Sequence, residues 1–283
     1  MINSKSELAA KFWANGQLDD CPILDMHAHM GPFYGGYIPL DTAEAVLAAM
    51  DRSHVVLTCF VGHASLFAPD IGIGQDLAIA CRYPDRFKLY HIVSSQTAQP
   101  KTDLDRIETN KSSYVGFKFL SDYYQVPLSD RRHQSYWEYA NENRLLVLAH
   151  TWGGSAYDGP DEVEKILDRY PDLIFVAGHS FHGDWDSAVR LGARYPNLYM
   201  ELTAVLDDRG ALDLLVDKLG SEKILFGVDM PWFAYTHGIG AVLSADMTDE
   251  DRRNIFYRNG KRLLSRFPWF DPIWLQASPK SLP

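Results

Sequence analysis

Along the chain, short runs of apolar residues alternate with stretches whose apolar positions recur every three to four residues. The runs are PILDMHA (22–28), HVVLTCFV (54–61), FKLYHIVS (87–94), YVGFKFL (114–120), LLVLAH (145–150), LIFVAGHS (173–180), LYMELTA (198–204) and KILFGVDMP (223–231). They are continuously apolar rather than alternating apolar and polar, which is the pattern of strands buried on both faces. Between them lie helical segments. DTAEAVLAAMDR (41–52) has Asp41 or Thr42 as its N-cap, and GQDLAIACRYP (74–84) is ended by Pro84. KTDLDRIETN (101–110) and HQSYWEYANENR (133–144) follow, and GPDEVEKILDRYP (159–171) has Pro160 in its first turn. GDWDSAVRLGARYP (183–196) comes next, then GALDLLVDKLG (210–220), closed by Gly220. IGAVLSA (239–245) and TDEDRRNIFYRNGKRLLS (248–265) complete the pattern. In the last, Glu250 or Asp251 falls near the third helical position after Thr248, a capping-box arrangement.

Eight strands separated by helices predict a parallel sheet covered by helices. In one domain-sized chain they favour a closed (β/α)8 TIM barrel. The competitor is an open doubly wound sheet, which would place a glycine-rich phosphate loop after an early strand. No G-x-G-x-x-G occurs, and GIG at 72–74, read as opening a helix after a loop, carries little weight. No linker divides residues 1–283, so a single, distorted barrel domain is expected, with its core at about 22–266. The aromatic, proline-rich tail FPWFDPIWLQASPKSLP (267–283) is expected to pack across the barrel exterior or a neighbouring subunit, which leaves a homo-oligomer open.

Composition narrows the function classes. The chain has 283 residues, 46% hydrophobic and 23% charged, as in an ordinary globular protein with a core large enough to need no disulfides. A net charge of −10 argues against a nucleic-acid partner. No run approaches the roughly 20 apolar residues that span a bilayer, and the first 20 residues lack the apolar core of a signal peptide. The three cysteines, Cys21, Cys59 and Cys81, form no C-x-x-C pair, and their sparse, odd count suits a reducing compartment. A cytoplasmic protein acting on a small molecule is the expectation.

In such a barrel the active site lies at the C-terminal ends of the strands. His27 and His29 end the first strand, Lys118 lies on the fourth, His150 ends the fifth, His179 the sixth and Asp229 the eighth. Residues i and i+2 of a strand point to one side, so His27 and His29 can share a cation. Imidazole nitrogen and carboxylate oxygen suit a metal such as Zn²⁺, and His150 and Asp229 would complete a four-ligand set with room for water. Each residue alone has an ordinary explanation, as a core histidine or a loop aspartate; together at one barrel mouth they read as a metal site. Lys118 also reads as the partner of Asp229 or of a substrate carboxylate.

The stretches LDMHAHMGP, VGFKFL, VLAHTWGG, FVAGHS and ILFGVDMPW, with the ending MTDEDRRNIFYRNGKRLL, resemble the amidohydrolase superfamily. More narrowly they resemble its amidohydrolase-related branch, which holds aminocarboxymuconate-semialdehyde decarboxylase-like enzymes and several lactonases. The resemblance runs from about residue 22 to about residue 266. It implies a distorted barrel with one or two divalent metals. By position it makes His27, His29, His150 and Asp229 the ligands of one metal, and leaves His179 to contact the reacting group or the water. Elsewhere in the superfamily a carbamylated lysine bridges two metals, which His150 and His179 would then help to hold. The branch mostly uses one metal, so a single Zn²⁺ and an unmodified Lys118 are expected, with Mn²⁺ or another divalent ion admissible.

The implied chemistry is hydrolysis. Bound zinc lowers the pKa of its water to about 7. Asp229 would accept the water's proton, and His179 would bond the developing oxyanion or protonate the leaving group. The target would be an amide, ester or lactone carbonyl. The rival is non-oxidative decarboxylation of an unsaturated or aromatic carboxylic acid, which the ligand set does not separate from hydrolysis. Phe33, Tyr34, Tyr123, Tyr124, Trp152, Trp232, Phe233 and Tyr235 in the strand-end loops suggest a flat or cyclic substrate, with Phe33, Tyr123, Trp152 and Trp232 as pocket residues. Arg131, Arg132 or Arg209 could meet a carboxylate. A non-catalytic metal-binding barrel is the reading of another class, and an open ligand set with Asp229 and His179 intact speaks against it.

Overall fold

The computed structural model describes residues 6–18 and 20–270. Eight parallel strands form one sheet in sequence order: β1 Ile23–Ala28, β2 Val55–Phe60, β3 Phe87–Ile92, β4 Tyr114–Phe119, β5 Leu146–Trp152, β6 Ile174–His182, β7 Leu198–Glu201 and β8 Ile224–Leu225. β8 is shorter than the apolar run predicts. The backbone beyond it still runs along β1, through Met26 N–H to Phe226 O at 2.9 Å, Asp229 N–H to His27 O at 2.9 Å and His29 N–H to Met230 O at 2.6 Å. These bonds bring the eighth strand back against the first in a single-domain (β/α)8 barrel.

The helices form where the pattern places them. Thr42, rather than Asp41, caps Ala43–Ser53 by accepting from Ala45 N–H. Pro160 opens Pro160–Arg169, and Gly220 ends Ala211–Leu219 in a positive-φ conformation that a Cβ would disfavour. The capping box is Thr248 with Asp251. Gly72–Gly74 lies within Pro69–Arg82 instead of opening the helix. Among the described residues three α-helices have no counterpart in the periodicity reading: Glu7–Asn15, His63–Phe67 and Ser121–Tyr124. The last two have five and four residues, too short to display a repeat. No helix among the described residues is long and apolar enough to cross a membrane.

Two clusters make up most of the core, and a third of Val61, Leu66, Ile92 and Leu120 is smaller. The larger of the two lies between the strands and the surrounding helices, with Phe117, Trp137 and Phe175 among its largest members. The smaller fills the barrel with Leu24, Met26, Val56, Leu57, Val115, Leu148, Val176 and Leu225. Phe267, Trp269 and Phe270 pack against this inner cluster, so the described start of the tail lies on the barrel itself; residues 271–283 lie outside the described residues. Cys21, Cys59 and Cys81 are free thiols.

Gly116 sits where β4 meets β5, paired with Leu146, and a Cβ there would lie 1.7 Å from the Leu146 carbonyl oxygen. Backbone cannot yield as a side-chain tip can. Gly116→Ala should therefore cost at least the upper end of the ~1–3 kcal/mol typical of overpacking. It should appear as a lower urea midpoint than that of the exposed control Gly74→Ala, whose added Cβ meets nothing within 4 Å.

Candidate metal and catalytic site

β1 presents its two histidines through a bulge. Asp25 pairs with Thr58 and Ala28 with Phe60, so β1 passes three residues where β2 passes two. The extra residue changes which side chains face inward. Leu24 and Met26 pack in the barrel interior, yet His27 and His29, of the opposite parity, line the cavity above it. Their rings stand 5.3 Å apart, edge to face.

Each histidine of the mouth is anchored through Nδ1. His27 Nδ1 donates to Glu201 Oε2 at 2.8 Å, and His29 Nδ1 to Val61 O at 2.8 Å. His63 Nδ1 donates to Gly31 O at 2.6 Å, His150 Nδ1 to Asp158 Oδ2 at 3.1 Å and His179 Nδ1 to Thr203 O at 3.3 Å. A carbonyl oxygen only accepts, so in the neutral rings of His29, His63 and His179 the proton is on Nδ1 and Nε2 carries the lone pair. The His63 lone pair accepts from Trp232 Nε1–H at 3.1 Å, and that of His27 from the Lys118 ammonium at 2.8 Å.

His27, His29 and Asp229 each offer a donor atom within 4.8 Å of the other two. Asp229 Oδ1 lies 2.9 Å from His29 Nε2 and 3.6 Å from His27 Nε2, yet this buried oxygen has no aligned hydrogen-bond donor. A carboxylate oxygen facing an imidazole lone pair at that distance is an arrangement suited to a cation, so the donor set fits a divalent metal. His150 stands outside this trio, with its ring 4.8 Å from that of His179.

The electrostatics follow from burial. Burial opposes charge on Asp229, but His29 and His27 beside it hold its carboxyl well below the usual range. Burial drives His27 far below an ordinary imidazole, with Lys118 adding to the effect, and it lowers His179 in the same direction, assisted by His150. Burial brings Lys118 down to about 8, with Asp229 and Glu201 opposing the fall, and His63 down to about 4. Burial pushes Glu201 up, against the pull of His179 and Thr203.

Three residues in a row, His179, Ser180 and Phe181, have φ of 69°, 50° and 59°, and Asp229 has φ 59°. Non-glycine residues in this region carry strain and persist where their surroundings hold them. Here the holders are Glu201, whose Oε2 accepts from His179 N–H at 3.3 Å, and Thr151, whose Oγ1 accepts from Phe181 N–H at 3.0 Å.

The cavity of about 330 Å³ at the C-terminal ends of the strands is lined by His27, His29, Lys118, His150, His179 and Asp229, so the site residues expected from the strand ends all meet in one chamber. Phe33, Tyr123, Trp152, Trp232 and Phe233 also line it. Tyr34 is exposed and packs on Phe33 and Phe67. Tyr124 turns its hydroxyl to Leu66 O, while Tyr235 is buried against Thr58. Arg131, Arg132 and Arg209 do not line the chamber, and exposed Arg132 pairs with Asp130. Sequence reasoning missed His63, Glu201 and Asp158. His63 follows the second apolar run and Glu201 interrupts the seventh, so both carried a signal as polar residues at strand ends. Asp158 lies in a loop and carried none.

Residues 24–266 match the family model described as amidohydrolase. No curated protein matches the chain. Among solved structures, an uncharacterised TIM-barrel protein from Bordetella bronchiseptica superposes with a TM-score of 0.72 at 18% identity, over 87% of this chain and 99% of that one. The 2,6-dihydroxybenzoate decarboxylase from Rhizobium gives 0.69 at 16% identity, over 87% and 99%. A 5-carboxyvanillate decarboxylase from Novosphingobium aromaticivorans, with bound manganese and 3-methoxy-4-hydroxy-5-nitrobenzoic acid, gives 0.65 at 12% identity, over 87% and 98%. Identities this low speak for a shared barrel alone, whereas the family match spans most of the chain: the protein belongs to the amidohydrolase family.

Proposed function

We propose that this protein is a metal-dependent, non-oxidative decarboxylase of a planar unsaturated or aromatic carboxylic acid. The observation that carries the reading is Lys118. It is the one lysine or arginine among the described residues lining the chamber, 1% exposed, beneath walls of aromatic rings. A buried ammonium suits an anionic ligand, and flat walls suit a flat one. Similarity to barrels that are benzoate-type decarboxylases supports the same choice.

His27, His29 and Asp229 would hold one divalent ion, with His150 as the fourth protein ligand. The imidazole-rich set suits zinc and also accepts manganese. When bound, the ion supplies Lewis-acid polarisation of the substrate oxygens. Unmodified Lys118 binds the substrate carboxylate. Phe33, Tyr123, Trp152 and Trp232 hold the ring plane and exclude water. As the bond to the carboxyl carbon breaks, its electron pair stays on the ring or alkene carbon and carbon dioxide leaves. That carbon needs one proton. Asp229 takes it from the substrate's own acidic group on binding and returns it, while His179 Nε2 accepts a hydrogen bond from the reacting group.

The second reading is hydrolysis of an amide, ester or lactone, favoured by the trio of His27, His29 and Asp229, which leaves coordination positions open. There Asp229 would accept a proton from the attacking water, and His179 Nε2 would accept a hydrogen bond from the same water. Protein reconstituted with Zn²⁺ or Mn²⁺ should release carbon dioxide from hydroxybenzoic or unsaturated acids, with solvent deuterium appearing on the vacated carbon. Turnover of lactones or amides without gas release would overturn the decarboxylase reading in favour of the hydrolase. A fully loaded metal site with no turnover across both panels would favour a non-catalytic barrel.

His27→Ala should lose the metal by elemental analysis while circular dichroism remains parental; full retention of metal would refute the ligand role. Asp229→Asn should weaken metal binding only partly and lower turnover at least about a hundredfold, within the ~10²–10⁴ typical of acid–base assistance. Parental turnover in metal-loaded Asp229→Asn would remove Asp229 from proton transfer. His179→Asn should lower turnover with metal content unchanged, and loss of metal in that variant would favour a two-ion site.

A further inference from the structure

Glu201 is the last residue of β7, fully buried, with both carboxylate oxygens occupied. Oε2 accepts from His27 Nδ1–H at 2.8 Å and from His179 N–H at 3.3 Å. Oε1 accepts from Thr203 N–H and from Thr203 Oγ1–H, both at 2.7 Å. The space for this group is kept by Gly227, where a Cβ would lie 2.1 Å from Glu201 Oε1 and 2.9 Å from His27 Cβ. Two of the four donors are backbone amides, which cannot reverse their role.

We infer that Glu201 is a positioning residue that sets the tautomer of His27 and thereby keeps its Nε2 lone pair available to the metal. The inference rests on His27 being a metal ligand, as proposed above. A carboxylate is the side chain that satisfies every donor here, because both its oxygens accept. An amide of the same shape has one oxygen and one NH2 group. In Glu201→Gln the oxygen turns to Thr203, which presents two donors at the shorter distances. The NH2 group then faces His27 Nδ1, which must accept from it. The imidazole proton moves to Nε2, where it breaks the bond that Lys118 makes there at 2.8 Å, turns toward Asp229 Oδ1 3.6 Å away and blocks the lone pair. Partners of this kind orient the ring and raise its basicity, and their loss typically costs about 10–100-fold in metal affinity.

The test reads the tautomer directly. Long-range proton–nitrogen correlation spectra of the full-length protein, zinc-loaded and zinc-depleted, should show parental His27 protonated at Nδ1 and bare at Nε2. Glu201→Gln should show the reverse in the depleted state, with zinc affinity about 10–100-fold lower in a chelator competition. Glu201→Asp, which keeps two accepting oxygens, should retain the parental tautomer and recover most of the affinity. The inference is overturned if parental His27 carries its proton on Nε2, or if folded Glu201→Gln keeps both tautomer and affinity. If Glu201→Gln does not fold, the parental spectrum and Glu201→Asp decide by the same criteria. A parent that takes up no zinc defeats the metal reading separately, since the tautomer of His27 is measured without it.

Discussion

An imidazole can offer one nitrogen to a cavity only if the proton on its other nitrogen has a fixed acceptor, and the whole mouth of this barrel is organised around that requirement. The acceptors for His27, His29, His63, His150 and His179 come from different parts of the chain: Glu201 at the end of β7, the carbonyls of Val61, Gly31 and Thr203, and the carboxylate of Asp158. None is close in sequence to the ring it holds, apart from Asp158, eight residues beyond His150. The rings are therefore aimed by strand register. A slip of one strand would remove both a histidine and the oxygen that orients another.

The same crowding explains how so many ionisable groups coexist with little exposure. Asp229, Glu201 and Lys118 are charged groups in a low-dielectric interior, where an isolated charge is costly and a paired, hydrogen-bonded one is tolerated. Lys118 bonds His27, Asp229 lies beside two imidazoles, and Glu201 receives four donors. Removing one group would expose its neighbours to an unbalanced field, so the cluster behaves as a unit. The left-handed backbone at residues 179–181 belongs to that unit, since Glu201 and Thr151 hold it.

Much of this was legible before the structure. The eight apolar runs mark the strands because parallel strands are buried on both faces, and the strand-end histidines with Lys118 and Asp229 follow from the barrel's polarity. Capping chemistry located the ends of several helices, as at Thr248 and Gly220. What escaped was long-range or short-lived along the chain. Glu201 looked like a blemish in an apolar run, because its value lies in meeting a ring 174 residues away. His63 sits on a five-residue helix that shows no period. The bulge in β1 is a matter of pairing with β2, invisible in either strand alone. Tyr124 and Tyr235 misled for the converse reason: proximity to a strand end does not fix which way a ring turns.

Phe267, Trp269 and Phe270 lie against the cluster that fills the barrel, with the Lys88 ammonium 4.2 Å from the Trp269 ring centroid. Among the described residues these rings pack on the barrel interior, and the chamber at the opposite, C-terminal ends of the strands has an aromatic rim. Traffic across that rim would have a kinetic meaning. A molecule that enters and leaves across it makes departing product and arriving substrate exclude one another there. Under the proposed reaction, a rim that grips a flat molecule would also delay its exit, and tighter grip at Phe33 or Trp232 would lengthen the dwell of both substrate and product. Turnover would then be a compromise between holding and releasing, set at the rim rather than at the base of the chamber.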